Sequence, residues 1–501
     1  MQELKQHVYT TIKSIKFAEW ICLFIIAFIL SIRIAYIFSY DTDLEGMEMI
    51  SVHITQLLHL KSHMYSNPSQ FPYLLLAYTP LYYYLMNFIM SIFSIDVIND
   101  THTIYIIGRS LSLLLFVFVS YGIYAIIKQI HHGYRHYILL LLLFILLLPK
   151  HFYTVRPDSF KVFFFTLFLL FHIKYLFSNK TSYFWLSLFS LITGIYFKHD
   201  LLLYGFIYYA VFFLSYRDKK YIYAGFIILI VLLISVYWMY ISTGINLFVD
   251  LLVYNIQYNS GLHTSFLFIA FNLVRTSLLI LLSLKNIFSK DKFTRTIAIT
   301  SICFVAASNV SMLRVGSNIN YTYESVLLLL ISAVLFLKET DFQYNVFFTT
   351  AYLLFLLALP INYYLYRYSF KEESQKKALY DEHLRVSKEI KKIIKEDVVF
   401  FPNMKYMIFF SDCNIIYGYD WHYDRFSDLY YNVKLKPKFL INDIIRNYDN
   451  AFSTGTVKYL VIDNEPKSLK QIEDFYPVFK KEASFDSLLL YEYSSNTANS
   501  K

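Results

Sequence analysis

The amino-acid sequence predicts an α-helical polytopic membrane protein, with about eleven transmembrane helices followed by a small extracytoplasmic α/β domain. Hydrophobic residues make up 57% of the 501 residues and aromatic residues 20%, which is more apolar surface than one soluble core needs. Apolar runs long enough to cross a hydrocarbon layer of about 30 Å recur along the chain. From Lys371 the composition becomes mixed and charged. These three observations predict a membrane domain over residues 1–370 and a soluble domain over residues 371–501.

The first predicted span is separated from the second by a long outer loop, residues 40–103, whereas the later spans follow one another closely. The spans cover residues 17–38, 104–127, 137–154, 159–177, 183–197, 199–216, 221–240, 264–284, 295–312, 321–337 and 345–366. In the soluble domain the residue pattern predicts one helix and four strands. The helix covers residues 375–396, and the strands cover residues 397–401, 405–410, 458–462 and 487–493.

Loop charge predicts the sidedness of these spans. Lys and Arg residues concentrate in the loops at 128–136, 217–220 and 285–295, and basic loops lie on the cytoplasmic side. We therefore expect a multi-pass protein of the cell (inner or plasma) membrane, with a cytoplasmic N-terminus and an extracytoplasmic C-terminal domain. Basic loops of this kind account for the net charge of +9 without a nucleic-acid partner. Only three Cys occur, so the sequence predicts neither a disulfide framework nor a zinc site.

The first outer loop begins with a cluster of carboxylates directly after the first span. These are Asp41, Asp43, Glu45 and Glu48. If the chain continued as helix, Asp41, Glu45 and Glu48 would share one face, opposite an apolar stripe that would lie along the bilayer surface. The alternative is a solvated loop beside a helix end. Further along, Thr79 and Pro80 have the pattern of an N-cap and a first helical residue.

Four cations fall near the outer ends of predicted spans, namely Arg109, Arg156, Lys198 and Arg314. Each alone could snorkel or contact a phospholipid head group, but four at one face favour a functional role. Polar neighbours accompany them. Asp158 follows Arg156, His199 follows Lys198, and the segment after Arg314 carries Asn320, Tyr321 and Glu324. Glu324 could cap the backbone of Asn320 or Tyr321, pair with Arg314, or line a pocket.

These segments together resemble the GT-C membrane glycosyltransferases, in particular the family-39-like bacterial relatives of protein O-mannosyltransferases and of the lipid A aminoarabinose transferase. The resemblance spans most of residues 15–366. It is carried by DTDLEG after the first span, YTPLYYYL at 78–85, GRSLSLLLF at 108–116, VRPDSF at 155–160, YFKHDLLL at 196–203 and GSNINYTYE at 316–324. Many relatives have adjacent Asp and Glu in the first loop, whereas here the acids are spread as D-T-D-L-E.

The resemblance implies a GT-C-like fold and a glycosyltransferase that uses a polyprenyl-phosphate sugar donor and an extracytoplasmic acceptor, which could be a glycan, a lipid or a protein. Such a reaction needs cations to stabilise the departing phosphate and a carboxylate to take the acceptor proton. Asp43 is the first candidate for the base, with Asp41 and Glu45 as alternatives. The candidate substrate-binding residues are Arg109, Arg156, Asp158, Lys198, His199, Arg314, Asn320, Tyr321 and Glu324.

Other interpretations of the sequence stay open. A divalent cation, Mg or Mn, could assist the transfer, although no residues are predicted to bind a metal. A transporter or flippase for a lipid-linked or anionic solute would also carry ionisable residues within a helical bundle. A transporter is expected to place these residues near mid-helix and to consist of two similar halves, and the sequence shows neither pattern clearly.

Overall fold

The chain folds into membrane helices followed by a region that contains a small β-sheet. The computed structural model describes residues 2–44, 48–61, 79–131, 137–147, 153–243, 262–313, 319–338, 370–401, 404–416, 450–452, 454–463, 479–485 and 487–494. These residues form two compact units. The first unit comprises residues 1–38, 109–230 and 261–368, and the second unit comprises residues 39–108, 231–260 and 369–501. The predicted domain boundary at residue 370 stays a prediction.

Thirteen α-helices are present in the described part of the chain. They are α1 (Gln2–Ile37), α2 (Glu48–Lys61), α3 (Leu81–Ile92), α4 (Thr101–Ile130), α5 (Tyr137–Leu147), α6 (Asp158–Ser178), α7 (Thr181–Phe197), α8 (Leu201–Tyr216), α9 (Lys220–Thr243), α10 (Leu262–Asn286), α11 (Lys292–Ser311), α12 (Tyr323–Lys338) and α13 (Phe370–Ile394). A 3₁₀ turn, Ile319–Thr322, leads into α12.

The predicted membrane architecture is confirmed. Six described helices contain a segment long and apolar enough to cross a membrane, and three shorter apolar helices accompany them. The long segments are Glu19–Ile37, Thr101–Ile130, Asp158–Ser178, Lys220–Ile241, Ile269–Asn286 and Lys292–Ser311. Ten of the eleven predicted spans overlap a helix, and the eleventh, residues 345–366, lies outside the described residues. The protein is therefore a multi-pass membrane protein, while the orientation of its termini stays a prediction.

Close packing of α6 against α7 in the first unit positions the polar residues considered below. Gly194 in α7 allows this approach, because a Cβ there would lie 3.1 Å from the Cβ of Phe164 in α6. It would also lie 2.5 Å from the side chain of Leu201, the first residue of α8. At the same end of the two helices, the rings of Phe160 and Phe197 stack with centroids 4.7 Å apart. The start of α6 and the α7–α8 connection are consequently neighbours.

A buried amide joins the segments of the second unit. The Nε2 of Gln56 in α2 donates to the carbonyls of Val97 at 2.6 Å and Ile408 at 3.0 Å, and to the Thr101 hydroxyl at 3.1 Å. Its Oε1 accepts a hydrogen bond from Ser411 at 2.7 Å. Three chain segments, α2, residues 97–101 and residues 408–411, therefore meet at one side chain whose polar atoms all have partners.

The C-terminal part of the second unit has the predicted α/β form. Its strands are β1 (Val399–Phe400), β2 (Ile415–Ile416), β3 (Tyr459–Asp463), β4 (Phe479–Ser484) and β5 (Leu488–Tyr493). They follow the order β2-β1-β3-β5-β4, with β1 parallel to β2 and β3, and β5 antiparallel to β3 and β4. Phe400, Leu460, Ile462 and Leu489 form the centre of its apolar core.

Two local sequence predictions are wrong. Residues 405–410 were expected to form a strand, but Met404–Phe409 is a 3₁₀ helix in which consecutive apolar residues from Tyr406 to Phe410 are all buried. An all-apolar run has no alternation that distinguishes strand from helix. Thr79 was expected to be an N-cap, but α3 begins at Leu81 with Pro80 as its cap residue.

Candidate active site

The first-loop carboxylates in the second unit form a hydrogen-bonded turn. Residues 38–44 are not helical. The Oδ1 of Asp41 accepts a hydrogen bond from the backbone N–H of Asp43 at 3.0 Å, and the Oδ1 of Asp43 accepts one from the N–H of Glu48 at 3.0 Å. The Oε2 of Glu48 accepts a hydrogen bond from the backbone N–H of Leu44 at 3.1 Å. Asp43 and Glu48 thus satisfy backbone donors on both sides of the α2 start.

This turn corrects the hypothesis that a single helix continues from Asp41. The helix α2 begins only at Glu48, so Asp41 and Glu48 do not share a helical face. Asp side chains compete with helix formation by bonding to nearby backbone N–H groups, and Asp41 and Asp43 both do so here. Glu45, the third candidate base, lies outside the described residues.

In the first unit, six ionisable residues form a buried chain of alternating charge. Asp158 lies between two cations, with its Oδ2 3.3 Å from Arg156 Nε and its Oδ1 2.6 Å from Lys198 Nζ. Lys198 Nζ is 3.8 Å from Asp200 Oδ2, which in turn is 2.9 Å from Lys161 Nζ.

Lys161 also contacts Glu324, whose Oε1 is 2.9 Å from Lys161 Nζ. None of the six ionisable side chains is more than 7% exposed. Charges buried this deeply are costly unless they are paired. The formal charges of the six residues sum to zero. The first three, Arg156, Asp158 and Lys198, carry one net positive charge, and the other three carry one net negative charge.

Three elements bring these residues together. Arg156 precedes α6, and Asp158 and Lys161 lie three residues apart in its first turn, so they share a helix face. Lys198 and Asp200 belong to the α7–α8 connection, which the α6–α7 packing places beside the start of α6. Glu324 lies in the first turn of α12, where the helix dipole favours a carboxylate.

Aromatic and hydroxyl groups surround the chain of charges. Lys198 Nζ lies 5.2 Å from the ring centroid of Tyr321, within cation–π range. The Tyr204 hydroxyl donates to the carbonyl of Tyr321 at 2.6 Å and lies 3.0 Å from the Ser308 hydroxyl. Arg275 of α10 donates to the hydroxyl of Thr322 at 3.3 Å. The 3₁₀ turn before α12 is thereby held by α8 and α10.

Arg109 and His199 are the two other predicted candidates whose positions the structure describes. Arg109 is fully buried in α4 and donates to the carbonyl of Tyr36 in the last turn of α1 at 3.2 Å. His199 lies in the α7–α8 connection, where its carbonyl accepts the N–H of Leu202. Arg314 and the side chain of Asn320 lie outside the described residues.

Lys161 and Asp200 are two site residues that were not predicted from the sequence. Lys161 stands within the predicted span 159–177, and Asp200 appears only within the segment YFKHDLLL at 196–203. A signal was present, because an ionisable side chain inside a membrane helix is expensive and usually has a partner. Lys161 is the first such residue in α6 after Asp158.

The described residues contain no group of three or more His, Cys, Asp or Glu side chains that could hold a metal ion. In the buried site, each of Asp158, Asp200 and Glu324 lies against a Lys or Arg. Carboxylates that are already paired with cations do not fit a divalent metal ion. The involvement of Mg or Mn stays an open expectation.

Comparison with solved structures identifies the fold. The chain is similar to the crystal structure of ArnT from Cupriavidus metallidurans bound to undecaprenyl phosphate, with a TM-score of 0.58. The similarity covers 94% of this chain and 97% of that chain at 10% sequence identity. No protein-family model matches the sequence, and no curated protein does either. The predicted GT-C-like fold is therefore confirmed, as a likeness of fold.

Proposed function

We propose that the protein is an integral membrane glycosyltransferase that moves a sugar from a polyprenyl-phosphate donor to an extracytoplasmic acceptor. The observation that carries this proposal is the likeness to ArnT, which extends over nearly the whole of both chains and whose solved structure holds undecaprenyl phosphate. The proposed acceptor is a glycan, a lipid or a protein.

The buried chain of charges supports a role in binding the donor phosphate. Asp158 contacts Arg156 with one carboxylate oxygen and Lys198 with the other, which holds the two cations in defined positions. Preorganised cations in a water-poor site stabilise charge that develops in a transition state. A phosphate at the Arg156 end of the chain would meet the side with net positive charge.

In the proposed reaction, the bond between the anomeric carbon and the phosphate oxygen breaks, and its electron pair stays on the phosphate. The acceptor oxygen or nitrogen forms the new bond to the anomeric carbon, and its proton passes to a carboxylate. Asp43 is the proposed base, with Asp41 and Glu45 as alternatives. Asp43 is half-buried and its Oδ1 is engaged by the N–H of Glu48, so its orientation is defined.

The test is a transfer assay on the purified full-length protein in proteoliposomes. A panel of polyprenyl-phosphate sugars is supplied with candidate acceptors, with and without Mg²⁺ or Mn²⁺, and released polyprenyl phosphate is measured by mass spectrometry. We expect release with at least one donor, and a loss of release in Arg156→Ala. Arg295→Ala, which removes an exposed arginine in α11, is the matched control.

The same proteoliposomes test the transporter alternative, which the buried ionisable residues also favour. A transporter or flippase would move the lipid-linked sugar between leaflets with its sugar–phosphate bond intact. Translocation of intact donor, together with no release of polyprenyl phosphate from any donor, would overturn the glycosyltransferase proposal.

A further inference from the structure

The helix α13 contacts the first outer loop through one of its faces, and all of these contacts lie within the second unit. The Oε2 of Glu373 accepts a hydrogen bond from the Ser39 hydroxyl at 2.7 Å, and its Oε1 accepts one from the backbone N–H of Tyr40. One turn later, Lys376 Nζ lies 2.9 Å from Asp41 Oδ2. Three consecutive loop residues are therefore held by two side chains of α13.

Aromatic contacts extend the same face. The Tyr40 ring stacks on His102 of α4, with centroids 3.8 Å apart and an interplanar angle of 7°. Tyr380 meets the edges of both rings at 5.5 and 5.9 Å, and Lys377 Nζ lies 5.5 Å from the Tyr40 centroid. Residues 373, 376, 377 and 380 follow the spacing of one helical face, so the contacts reflect a continuous surface of α13.

The contacts reach the proposed base through the loop backbone. Asp41 uses one carboxylate oxygen for Lys376 and the other for the N–H of Asp43. Asp43 in turn accepts from the N–H of Glu48 at the start of α2. A displacement of Asp41 would therefore change the backbone position of Asp43 directly.

We propose that Glu373 and Lys376 are positioning residues, which hold the first outer loop so that its carboxylates are oriented for transfer. The inference rests on the proposed glycosyltransferase function and deepens it by assigning a role in catalysis to the region beyond residue 370. It assigns no contact with substrate to either residue.

The energetics favour a geometric role over a stabilising one. Asp41 and Lys376 are each about one-third exposed, at 31% and 33%. Ion pairs at such partly exposed positions contribute little to stability. Loss of this pair will leave the protein folded, whereas a misplacement of about 1 Å in a catalytic group can cost about a hundredfold in rate.

The test uses the full-length protein in detergent and compares Glu373→Ala and Lys376→Gln with two matched controls on the same helix. Glu389→Ala and Lys392→Gln remove the same side-chain types from the last turns of α13. Glu389 is half-exposed and pairs with Arg385 of the same helix, and Lys392 is exposed. Hydrogen–deuterium exchange is measured over residues 38–44, and kcat and donor KM are measured with the accepted donor.

We expect faster exchange over residues 38–44 in both test variants, with kcat lowered about tenfold to a hundredfold and donor KM little changed. Lys376→Arg keeps the charge and should restore both exchange and kcat. Both controls should behave as the parent protein.

The outcomes separate this inference from the proposed function. Unchanged exchange in both test variants would overturn the positioning role, and so would faster exchange with parental kcat. A parent protein that transfers from no donor would overturn the proposed function, and the catalytic role with it. The exchange measurement would then still show whether Glu373 and Lys376 hold the loop.

Discussion

The Nζ of Lys161 lies 2.9 Å from the Oε1 of Glu324, and neither side chain has exposed surface. The two residues are far apart in sequence and lie in the first turns of α6 and α12. An ion pair with no access to water must be retained as a pair, because either charge left alone has no solvent to stabilise it.

Removal of Lys161 alone should therefore destabilise the first unit. Lys161→Met leaves Glu324 without its ion-pair partner and Asp200 without its nearest cation. It should cost about 3 to 5 kcal/mol, measured as a lower midpoint of thermal unfolding in detergent. The double variant Lys161→Met with Glu324→Leu removes both charges and should recover the part of this loss that comes from Glu324, while Asp200 keeps Lys198 at 3.8 Å. A double variant no more stable than Lys161→Met would show that the pair is not coupled.

The cations beside Asp158 should govern donor binding. Arg156→Ala and Lys198→Ala each remove a charge-assisted contact worth about 1.5 to 3 kcal/mol. We expect donor KM to rise, or turnover to fall, by about tenfold to a hundredfold. Arg295→Ala and Lys392→Gln serve as exposed controls. Parental kinetics in both site variants would indicate that these cations only contact phospholipid head groups or other protein groups.

The choice among the first-loop acids is tested by isosteric changes. Asp43→Asn keeps an oxygen that can accept the Glu48 N–H but cannot take the acceptor proton. It should leave donor binding largely intact and slow transfer about 10²- to 10⁴-fold, as measured by single-turnover kinetics.

Asp41→Asn and Glu45→Gln are the comparison variants. Parental transfer by Asp43→Asn together with an inactive Glu45→Gln would move the role to Glu45. If all three variants transferred at the parental rate, the first-loop assignment would be wrong.

His53 in α2 should make the second unit sensitive to acid. Burial, with a smaller effect of Lys61, lowers the pKa of His53 to about 3. His53 is therefore neutral at pH 7. Its Nδ1 lies 2.6 Å from the Ser411 hydroxyl. Because that hydroxyl donates its hydrogen to Gln56, Nδ1 of His53 is the donor to Ser411. Because the unfolded chain binds a proton near pH 6.5, stability is lost as the pH falls below that value, by about 1.4 kcal/mol per pH unit.

The measurement is the difference in thermal midpoint between pH 7 and pH 5. His53→Asn retains a donor near the position of Nδ1 but does not titrate, so this difference should become smaller in the variant. An equal pH dependence in parent and variant would assign the acid sensitivity to other groups.

Cysteine labelling tests the predicted sidedness, which the fold alone does not establish. In a background with Cys22, Cys303 and Cys413 replaced by Ser, single cysteines are placed at Lys392 in α13 and at Lys219 before α9, both exposed positions. We expect an impermeant thiol reagent on intact cells to label position 392 and not position 219. The reverse pattern would place the first outer loop and α13 on the cytoplasmic side.

Most of the helical architecture could be predicted because it depends on local composition. A run of about twenty apolar residues is stable only as a membrane-spanning or buried helix. The soluble region was predicted less accurately. Residues 405–410 have no alternation, and β2 and β4 went unpredicted; β2 is only two residues long and β4 begins with mostly exposed residues.

The site was predictable only in part. The segments VRPDSF and YFKHDLLL drew attention to Arg156, Asp158 and Lys198, because charged residues at the ends of apolar runs are conspicuous in any sequence. The partners were not predictable. Lys161 pairs with Asp200 and Glu324, which are distant in sequence, and such pairing depends on which helix ends meet.

The sequence by itself determined the membrane helices, the polar connections between them and the composition change near residue 370. Each of these follows from the cost of placing a given side chain in lipid or in water, which is a property of a short segment. Only the tertiary structure decided the alternating order of charges from Arg156 to Glu324 and the contacts of Glu373 and Lys376 with residues 39–41. Those arrangements depend on packing such as that at Gly194 and on the path of α13, because an ion pair or a hydrogen bond requires two groups within about 3 Å of each other, whatever their separation along the chain.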